Sequence, residues 1–391
     1  MLSFKDFLKE EDEGSKLKHI HHAEDRPLLH GHAGFEHAHA ALMAAHEHMK
    51  SGAKSNKLTM KYDGSPSVVF GHHPSNGKFF VASKSAFNKN PKINHTHEDI
   101  DKNHGHAPGL AEKLHAALDH LPKVAPKKGV YQGDLMHSET DVHHDKKSGS
   151  ASFTPNTITY TAHGDEAKKV KQSKVGIVTH TQYHGKDLES MHAKPLESEK
   201  GFGQHKDVYQ KSASHDTSKI SYPQSAQEKF HKHMDAAKAI HDTHGTKMYN
   251  AIHPEHKGDS GHLGTYINST VDTQEKPSVE GLQKHLESKY GKKIDQLKTD
   301  AGKKKYQDEL ANQVQHTKLH KQNLENVFNV HHHLQKAKDV LVHALSQHTG
   351  GLHHEVKGQP VKPEGFVVNH EGQLSKFNDR NEFNRLNRLA R

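Results

Sequence analysis

The stretch Lys61-Tyr62-Asp63-Gly64-Ser65-Pro66 sets a lysine at the end of a short apolar segment, directly before an Asp-Gly turn. A lysine amine is nucleophilic only when part of it is unprotonated, which neighbouring cations or desolvation can bring about. Asp-Gly also favours a tight turn between strands. Taken alone, the hexapeptide is compatible with a catalytic lysine, but a plain hairpin turn beside a surface lysine is the commoner explanation.

The segments around this motif alternate between helical and strand patterns. Apolar spacing predicts helices over 33–49 and 110–121, and β-branched or aromatic runs separated by turn residues predict strands. These strands cover 57–61, 67–70, 79–82, 129–135, 157–161 and 175–181. The mixture predicts an α+β fold with antiparallel sheets.

The composition of the chain changes after about residue 190. Helical patterns dominate over 224–243, 278–289 and 322–348, and strand patterns return at 365–368 and 374–377. We therefore expect a leader over 1–18, a first part of the core over 19–190, a mainly helical insertion over 191–352, and completion of the core by strands and a basic tail over 353–391. The apolar stripe over 322–348 favours core packing over a docking surface.

Composition excludes several classes of protein. The 391 residues include no cysteine, which rules out disulfides, thiolate metal sites and cysteine nucleophiles. No run approaches the roughly 18 apolar residues of a membrane span, and the N-terminus lacks a secretory apolar segment. We expect neither secretion nor membrane insertion. The formal net charge of +8 and the 44 histidines suit a polyanionic partner such as nucleic acid.

Other residues follow the lysine motif in a meaningful order. Asp134 comes after a glycine on one strand, Tyr160 lies on the next, Glu364 precedes an apolar strand, and Lys376 follows one hairpin later. This order resembles the covalent nucleotidyltransferase superfamily, which includes ATP-dependent DNA ligases, RNA ligases and mRNA capping enzymes. The resemblance implies an antiparallel two-sheet, ATP-grasp-like ligase core that here carries a helical insertion.

The resemblance also implies the chemistry. Lys61 would attack the α-phosphate of ATP to form lysyl-AMP and release pyrophosphate. Lys376 would neutralise that phosphate, and Glu364 would organise Mg²⁺ or the nucleophilic lysine. AMP transfer to a 5′-phosphate and strand sealing would follow, with RNA preferred to DNA.

The remaining family positions concern the nucleotide. Asp63 and Gly64 would line its pocket, Asp134 would bind the ribose hydroxyls, and Tyr160 would stack on adenine. Lys84 stands where the family has an arginine near the ribose and the acceptor phosphate, and it lacks the arginine's bidentate fork. Tyr160 has a second interpretation, since an aromatic residue on a strand is more often part of the core.

A closer resemblance is to proteins of T-even-type tailed phages. It covers roughly 20–190 and rests on segments 61–66, 87–92 and 132–136. The leader is similar to capsid-targeting peptides, with Leu8-Lys9-Glu10 as a cleavage motif. The resemblance implies a protein of the host cytoplasm and of the virion head. Because Asn378 replaces the second lysine of the family's last motif, a non-enzymatic head protein that binds nucleic acid through a degenerate nucleotide pocket is the alternative.

Two other features have two interpretations. Histidines such as His331-His332-His333 suggest metal binding, but the absence of a recurring spacing favours a composition bias of solvated surfaces. The C-terminal arginines favour contact with nucleic acid phosphates over a solvated face. They are Arg380, Arg385, Arg388 and Arg391.

Overall fold

The computed structural model describes residues 20–252, 261–273 and 275–382. The expected leader and the last three C-terminal arginines lie outside these ranges. Fifteen strands form three sheets within the described residues. The strands are β1 (Lys54–Lys61), β2 (Ser67–His72), β3 (Phe79–Ala82), β4 (Val130–Ser138), β5 (His143–His144), β6 (Ala151–Phe153), β7 (Thr159–Ala162), β8 (Val175–His184), β9 (His192–Pro195), β10 (Val208–Gln210), β11 (Ser214–Asp216), β12 (His353–Val356), β13 (Gln359–Pro360), β14 (Gly365–His370) and β15 (Gln373–Phe377).

Nine α-helices of eight residues or more accompany them in the same ranges. They are α1 (Arg26–Ser51), α2 (His97–His104), α3 (Pro108–His120), α4 (Gly164–Gln172), α5 (Gln224–Asn250), α6 (His262–Thr273), α7 (Val279–Gln296), α8 (Asp300–Leu319) and α9 (Lys321–Leu345). The fold is therefore mixed α+β, as the sequence predicts. None of the helices in the described ranges is long and apolar enough to span a membrane.

The first sheet has the strand order β11-β1-β14-β15 and carries the lysine motif. Leu58 and Met60 of β1 are buried, whereas Thr59 and Lys61 lie on the opposite face, which follows from the two-residue period of a strand. β14 pairs antiparallel with β1 and brings Gly365 opposite Lys61. The C-terminal strands thus complete a sheet that begins about 300 residues earlier, as the return of strand patterns predicts.

The described residues form three sheets, whereas the resemblance implies two. The second sheet runs β10-β8-β4-β2-β3, with β9 also paired to β8, and its β8–β10 pair is parallel. The third runs β13-β12-β7-β6-β5. All five of its strands are only two to four residues long. Strands this short have little periodicity of their own, so their pairing is decided by tertiary contacts.

The segment expected to be a mainly helical insertion, 191–352, begins with three short strands. β9, β10 and β11 fall inside it and extend the first and second sheets, so the helical part begins only at Gln224. The stripe of α9 is buried against α5 and α1, in agreement with the predicted core packing. Leu324, Phe328, Leu334, Leu341 and Leu345 are each at most 1% exposed. This layer supports the first sheet through α1, which also contacts β14.

Candidate active site

Lys61 and Glu364 form the centre of the candidate site. Lys61 ends β1, and Glu364 directly precedes β14, so the antiparallel pairing of these strands brings the two side chains together. Lys61 Nζ donates to Glu364 Oε1 at 2.7 Å and to Oε2 at 2.6 Å. The Glu364 side chain is 6% exposed and that of Lys61 is 36% exposed. The amine therefore sits over a buried carboxylate and still reaches solvent.

Burial governs the charge of this pair. Loss of hydration raises the pKa of Glu364 above its ordinary value, and attraction to Lys61 Nζ limits that rise. A carboxylate with a raised pKa is a better proton acceptor. The contact thus supplies a base within hydrogen-bond distance of the lysine amine.

Lys376 lies on the same face of the first sheet as Lys61. Its position on β15 is opposite Val367, which is itself opposite Thr59 on β1, two residues before Lys61. Burial, together with repulsion from Lys61, lowers the pKa of Lys376. The structure thus brings two lysines and one carboxylate to one sheet face, all three of them predicted site residues.

Asn378 occupies the position of the missing second lysine. It is 1% exposed, and a Cβ added to Gly365 would lie 2.3 Å from its Oδ1. Within the described ranges, neither polar atom of its side chain has a hydrogen-bond partner. This buried amide lies across β14 from Lys61, next to Gly365.

The carboxylate of Asp63 is engaged by hydrogen bonds from residues 156–158. Its Oδ2 accepts hydrogen bonds from the backbone N–H groups of Thr157 at 2.8 Å and Ile158 at 3.0 Å, and its Oδ1 accepts from Asn156 Nδ2 at 2.8 Å. The Asp63 backbone N–H donates to the hydroxyl of Tyr160 at 2.7 Å. These bonds attach the lysine motif to the third sheet.

Tyr160 does not occupy the expected adenine platform. The side chain is fully buried, and its ring packs against Tyr62, Phe153 and His354. A ring enclosed by protein cannot stack on a base in this conformation. The core interpretation of Tyr160 is therefore the one that fits, and its function here is to accept the hydrogen bond from Asp63.

Gly64 brings the motif against Asp134 of the second sheet. A Cβ at Gly64 would lie 2.7 Å from the Asp134 Cβ, and the Ser65 N–H donates to the carbonyl of Leu135 at 2.9 Å. His180 Nε2 lies 3.5 Å from Asp134 Oδ2. Burial raises the pKa of Asp134, but hydrogen bonding and attraction to His180 outweigh this and lower it overall. Asp134 is therefore a carboxylate near Lys61 at neutral pH.

Lys84 lies at one end of the second sheet. It is exposed and begins a short 3₁₀ turn, Lys84–Phe87, directly after β3. β3 ends with Ala82 opposite Val69. The turn therefore lies at the end of the second sheet where β2 starts, at Ser67. Lys84 thus lies at the same end of the second sheet as Asp134, which is opposite Ser67.

Two residues that sequence reasoning missed complete the surroundings. His180 pairs with Asp134, as described above, and Lys113 donates to the carbonyl of Ser65 at 3.3 Å. Neither lies in a motif; His180 is one of 44 histidines in the chain, and Lys113 falls within a helical pattern. Only the pairing of β4 with β8 and the packing of α3 bring them to the site.

A buried charge network lies beside Lys376. Lys338 Nζ pairs with Glu24 at 2.5 Å, and both side chains are completely buried. Arg380 pairs with Asp25, which also accepts from His331 Nε2 at 3.0 Å. Arg380 is only 7% exposed, which corrects its assignment to nucleic acid binding. His331 is likewise buried rather than part of a solvated surface.

The donor set fits Mg²⁺ and phosphate. Glu364 and Asp134 supply carboxylate oxygens, the ligands that Mg²⁺ prefers, and Lys61 and Lys376 supply cations for a phosphate. Glu364 would have to exchange part of its contact with Lys61 to bind the metal ion, because both of its oxygens are engaged.

Comparisons with other proteins bear on the family and not on the chemistry. No curated protein matches the chain, and no solved structure does either. One family model, described as a family of unknown function, matches residues 17–390. Because that match spans nearly the whole sequence, the chain belongs to the DUF6267 family.

Proposed function

We propose that this protein is a covalent nucleotidyltransferase of the ATP-dependent ligase type, with Lys61 as its nucleophile. The observation that carries the proposal is the contact of Lys61 Nζ with both oxygens of Glu364, at 2.7 and 2.6 Å. Lys376 on the same sheet face and Asp134 beside Gly64 supply further groups for a nucleotide. On this proposal the first and second sheets form the two-sheet core, and the helical residues from Gln224 onward are an insertion into it.

The first half-reaction follows from this arrangement. Lys61 loses a proton to Glu364, its Nζ forms a bond to the α-phosphorus of ATP, and the bond from that phosphorus to the pyrophosphate oxygen breaks. Lys376 stabilises the negative charge that develops on the α-phosphate. Bound Mg²⁺ would neutralise phosphate charge, and Asp134 would offer it a carboxylate oxygen while Glu364 accepts the proton. Asp134, held by His180, faces the nucleotide from the second sheet.

The second half-reaction passes AMP to a 5′-phosphate and seals a strand, with RNA preferred to DNA. Two exposed lysines support a polyanionic substrate. Lys84 and Lys89 follow β3 at the end of the second sheet where Asp134 lies. The protein would act in the host cytoplasm and travel in the virion head, as the phage resemblance implies.

A second candidate function is supported by two observations. Tyr160 is enclosed by protein, and Asn378 replaces a lysine that ligases use on phosphate. Both fit a phage head protein that binds nucleic acid and keeps a degenerate nucleotide pocket. Such a protein would bind nucleic acid in a strongly salt-dependent way without covalent labelling.

The test is incubation with α-³²P-ATP and Mg²⁺, followed by a denaturing gel. Lys61→Arg keeps a cation beside Glu364 but removes the nucleophilic amine, and Lys57→Ala, an exposed lysine on the same strand, is the matched control. We expect acid-labile label on the wild type and on Lys57→Ala, reversed by pyrophosphate and absent from Lys61→Arg. Folded, nucleotide-free wild type that takes no label from ATP or GTP would overturn the ligase proposal and favour the head protein.

A further inference from the structure

Two helices that carry none of the candidate site residues each contain a kink at a glycine. α1 contains a non-helical glycine, Gly31, with φ of 61°, and α5 contains another, Gly245, with φ of 41°. Only glycine adopts such backbone angles without strain. A Cβ on Gly31 would lie 3.2 Å from the Cβ of Tyr249, so the bend in α1 also admits close approach of α5.

Three side chains with metal-ligating atoms lie together between α1 and α5. His32 and Glu36 lie one turn apart on α1, a spacing that puts them on one helix face. His241 of α5 faces them, and one ligand atom from each of the three lies within 4.8 Å of the others. His241 Nε2 is 3.4 Å from Glu36 Oε1, and the His32 and His241 rings stack at 4.8 Å.

A fourth residue orients the set. The hydroxyl of Tyr249 lies 3.0 Å from His241 Nδ1, so Nδ1 is occupied and Nε2 is the nitrogen directed at Glu36. His241 is 4% exposed and its ring stacks on Phe35 at 3.8 Å, which holds it in place. Metal-binding histidines commonly have their second nitrogen held in this way by a neighbouring group.

We propose that His32, Glu36 and His241 bind Zn²⁺ and thereby link α1 to α5. Two imidazoles and one carboxylate are a ligand set that zinc uses, with water in the fourth position. Ligand atoms about 2.0–2.2 Å from zinc lie roughly 3.3–3.6 Å from one another. Because the exposed His32 ring stacks on the His241 ring, it must rotate to direct a nitrogen at a shared ion. His32 and Glu36 are exposed, which leaves a path for the ion to enter.

The surrounding charges permit a cation. Lys238, the nearest ammonium group on α5, is paired with Asp242 at 2.8 Å. His39, half-buried one turn after Glu36, is an additional imidazole near the set. Zinc bound across α1 and α5 would stiffen α1, which packs against β14, the strand that Glu364 precedes.

Zinc titration of the metal-free full chain tests the site. Because a chain with 44 histidines takes up zinc weakly in many places, the titration includes a competing chelator that leaves only tight binding measurable. We expect one tight Zn²⁺ per chain and a melting temperature that rises with zinc. His32→Gln and Glu36→Gln change exposed residues, so the fold should survive. Each removes a ligand and should weaken zinc binding by at least the roughly 10–100-fold that loss of an outer-shell partner costs. Tyr249→Phe should weaken it about tenfold.

The control removes two histidines elsewhere. His143 and His144 are exposed neighbours on β5, and the double variant His143→Gln/His144→Gln should keep the tight site. Absence of a tight site in the wild type would overturn the proposal. So would tight binding that survives in both His32→Gln and Glu36→Gln, or that disappears in the control. The outcome is independent of the ligase proposal, because the readout is binding and not adenylylation.

Discussion

Lys61 Nζ lies 2.7 and 2.6 Å from the two carboxylate oxygens of Glu364, although 303 residues separate the two in the chain. The contact joins the end of β1 to the start of β14, the two central strands of the first sheet. The contact holds the amine in place and puts a carboxylate that can accept a proton beside it.

Glu364→Gln tests the proton acceptor. The amide keeps the shape of the side chain but cannot take the proton of Lys61, so self-adenylylation should slow by about 10²–10⁴-fold. Single-turnover labelling with α-³²P-ATP over a range of pH would measure the change, with circular dichroism to show that the variant is folded. An unchanged rate and pH profile would mean that another group accepts the proton.

Gly64→Ala tests the close approach to Asp134. The added Cβ would lie 2.7 Å from the Asp134 Cβ and 3.1 Å from the carbonyl oxygen of Leu135, so the backbone must shift. We expect a loss of about 1–3 kcal/mol in the free energy of unfolding, measured in urea. Gly291→Ala is the matched control, because no atom lies within 4 Å of its Cβ position on α7. It should leave stability unchanged or raise it by up to about 1 kcal/mol. Equal stabilities for the two variants would contradict the contact.

Lys338→Met tests the buried charge network. The change removes the closer cation of the completely buried Glu24 carboxylate and leaves only Arg380 Nε, 3.6 Å from its Oε1, which should cost about 3 kcal/mol in the free energy of unfolding. Adding Glu24→Gln in the double variant should recover part of the loss. Lys321→Met removes an exposed partner of Glu280 and should change urea unfolding little. A double variant less stable than Lys338→Met would argue against a paired charge at this position.

Buried histidines predict the direction of acid destabilisation. Burial lowers the pKa of His137, His215 and His354 to about 4, from an ordinary value of 6.5. Between pH 6.5 and 4 the unfolded chain therefore binds more protons than the folded one, so stability falls as pH falls through this window. Each histidine should contribute about 1–2 kcal/mol of the loss at pH 5.

His354→Phe checks this attribution. The variant keeps a ring against Tyr160 but cannot be protonated, so the drop in unfolding free energy between pH 7 and pH 5 should be smaller than in the wild type. His144→Phe, at an exposed position on β5, should leave the drop unchanged. Urea denaturation at the two pH values measures both. A drop of the same size in His354→Phe and wild type would assign the acid sensitivity to other groups.

Local patterns of the sequence predict much of the fold. The helix over 110–121 and the strand over 79–82 agree closely with α3 and β3, because the 3.6- and two-residue periods arise within the segment itself. The predictions fail where the segment is short or polar. The strands β9 to β11 lie within a segment predicted to be mainly helical. The helix α8 contains a run of lysines and has no strong apolar stripe.

The sequence by itself determined the mixed α+β class, the lysine motif and the order in which the other site residues follow it. Only the tertiary structure decided that Glu364 meets Lys61, that Tyr160 and Arg380 are buried, and that His32 and Glu36 face His241. The physical reason is the range of the interactions. Helix and strand periodicity reflects neighbours in the chain, whereas burial and ion pairing depend on strand register and helix packing between segments far apart in the sequence.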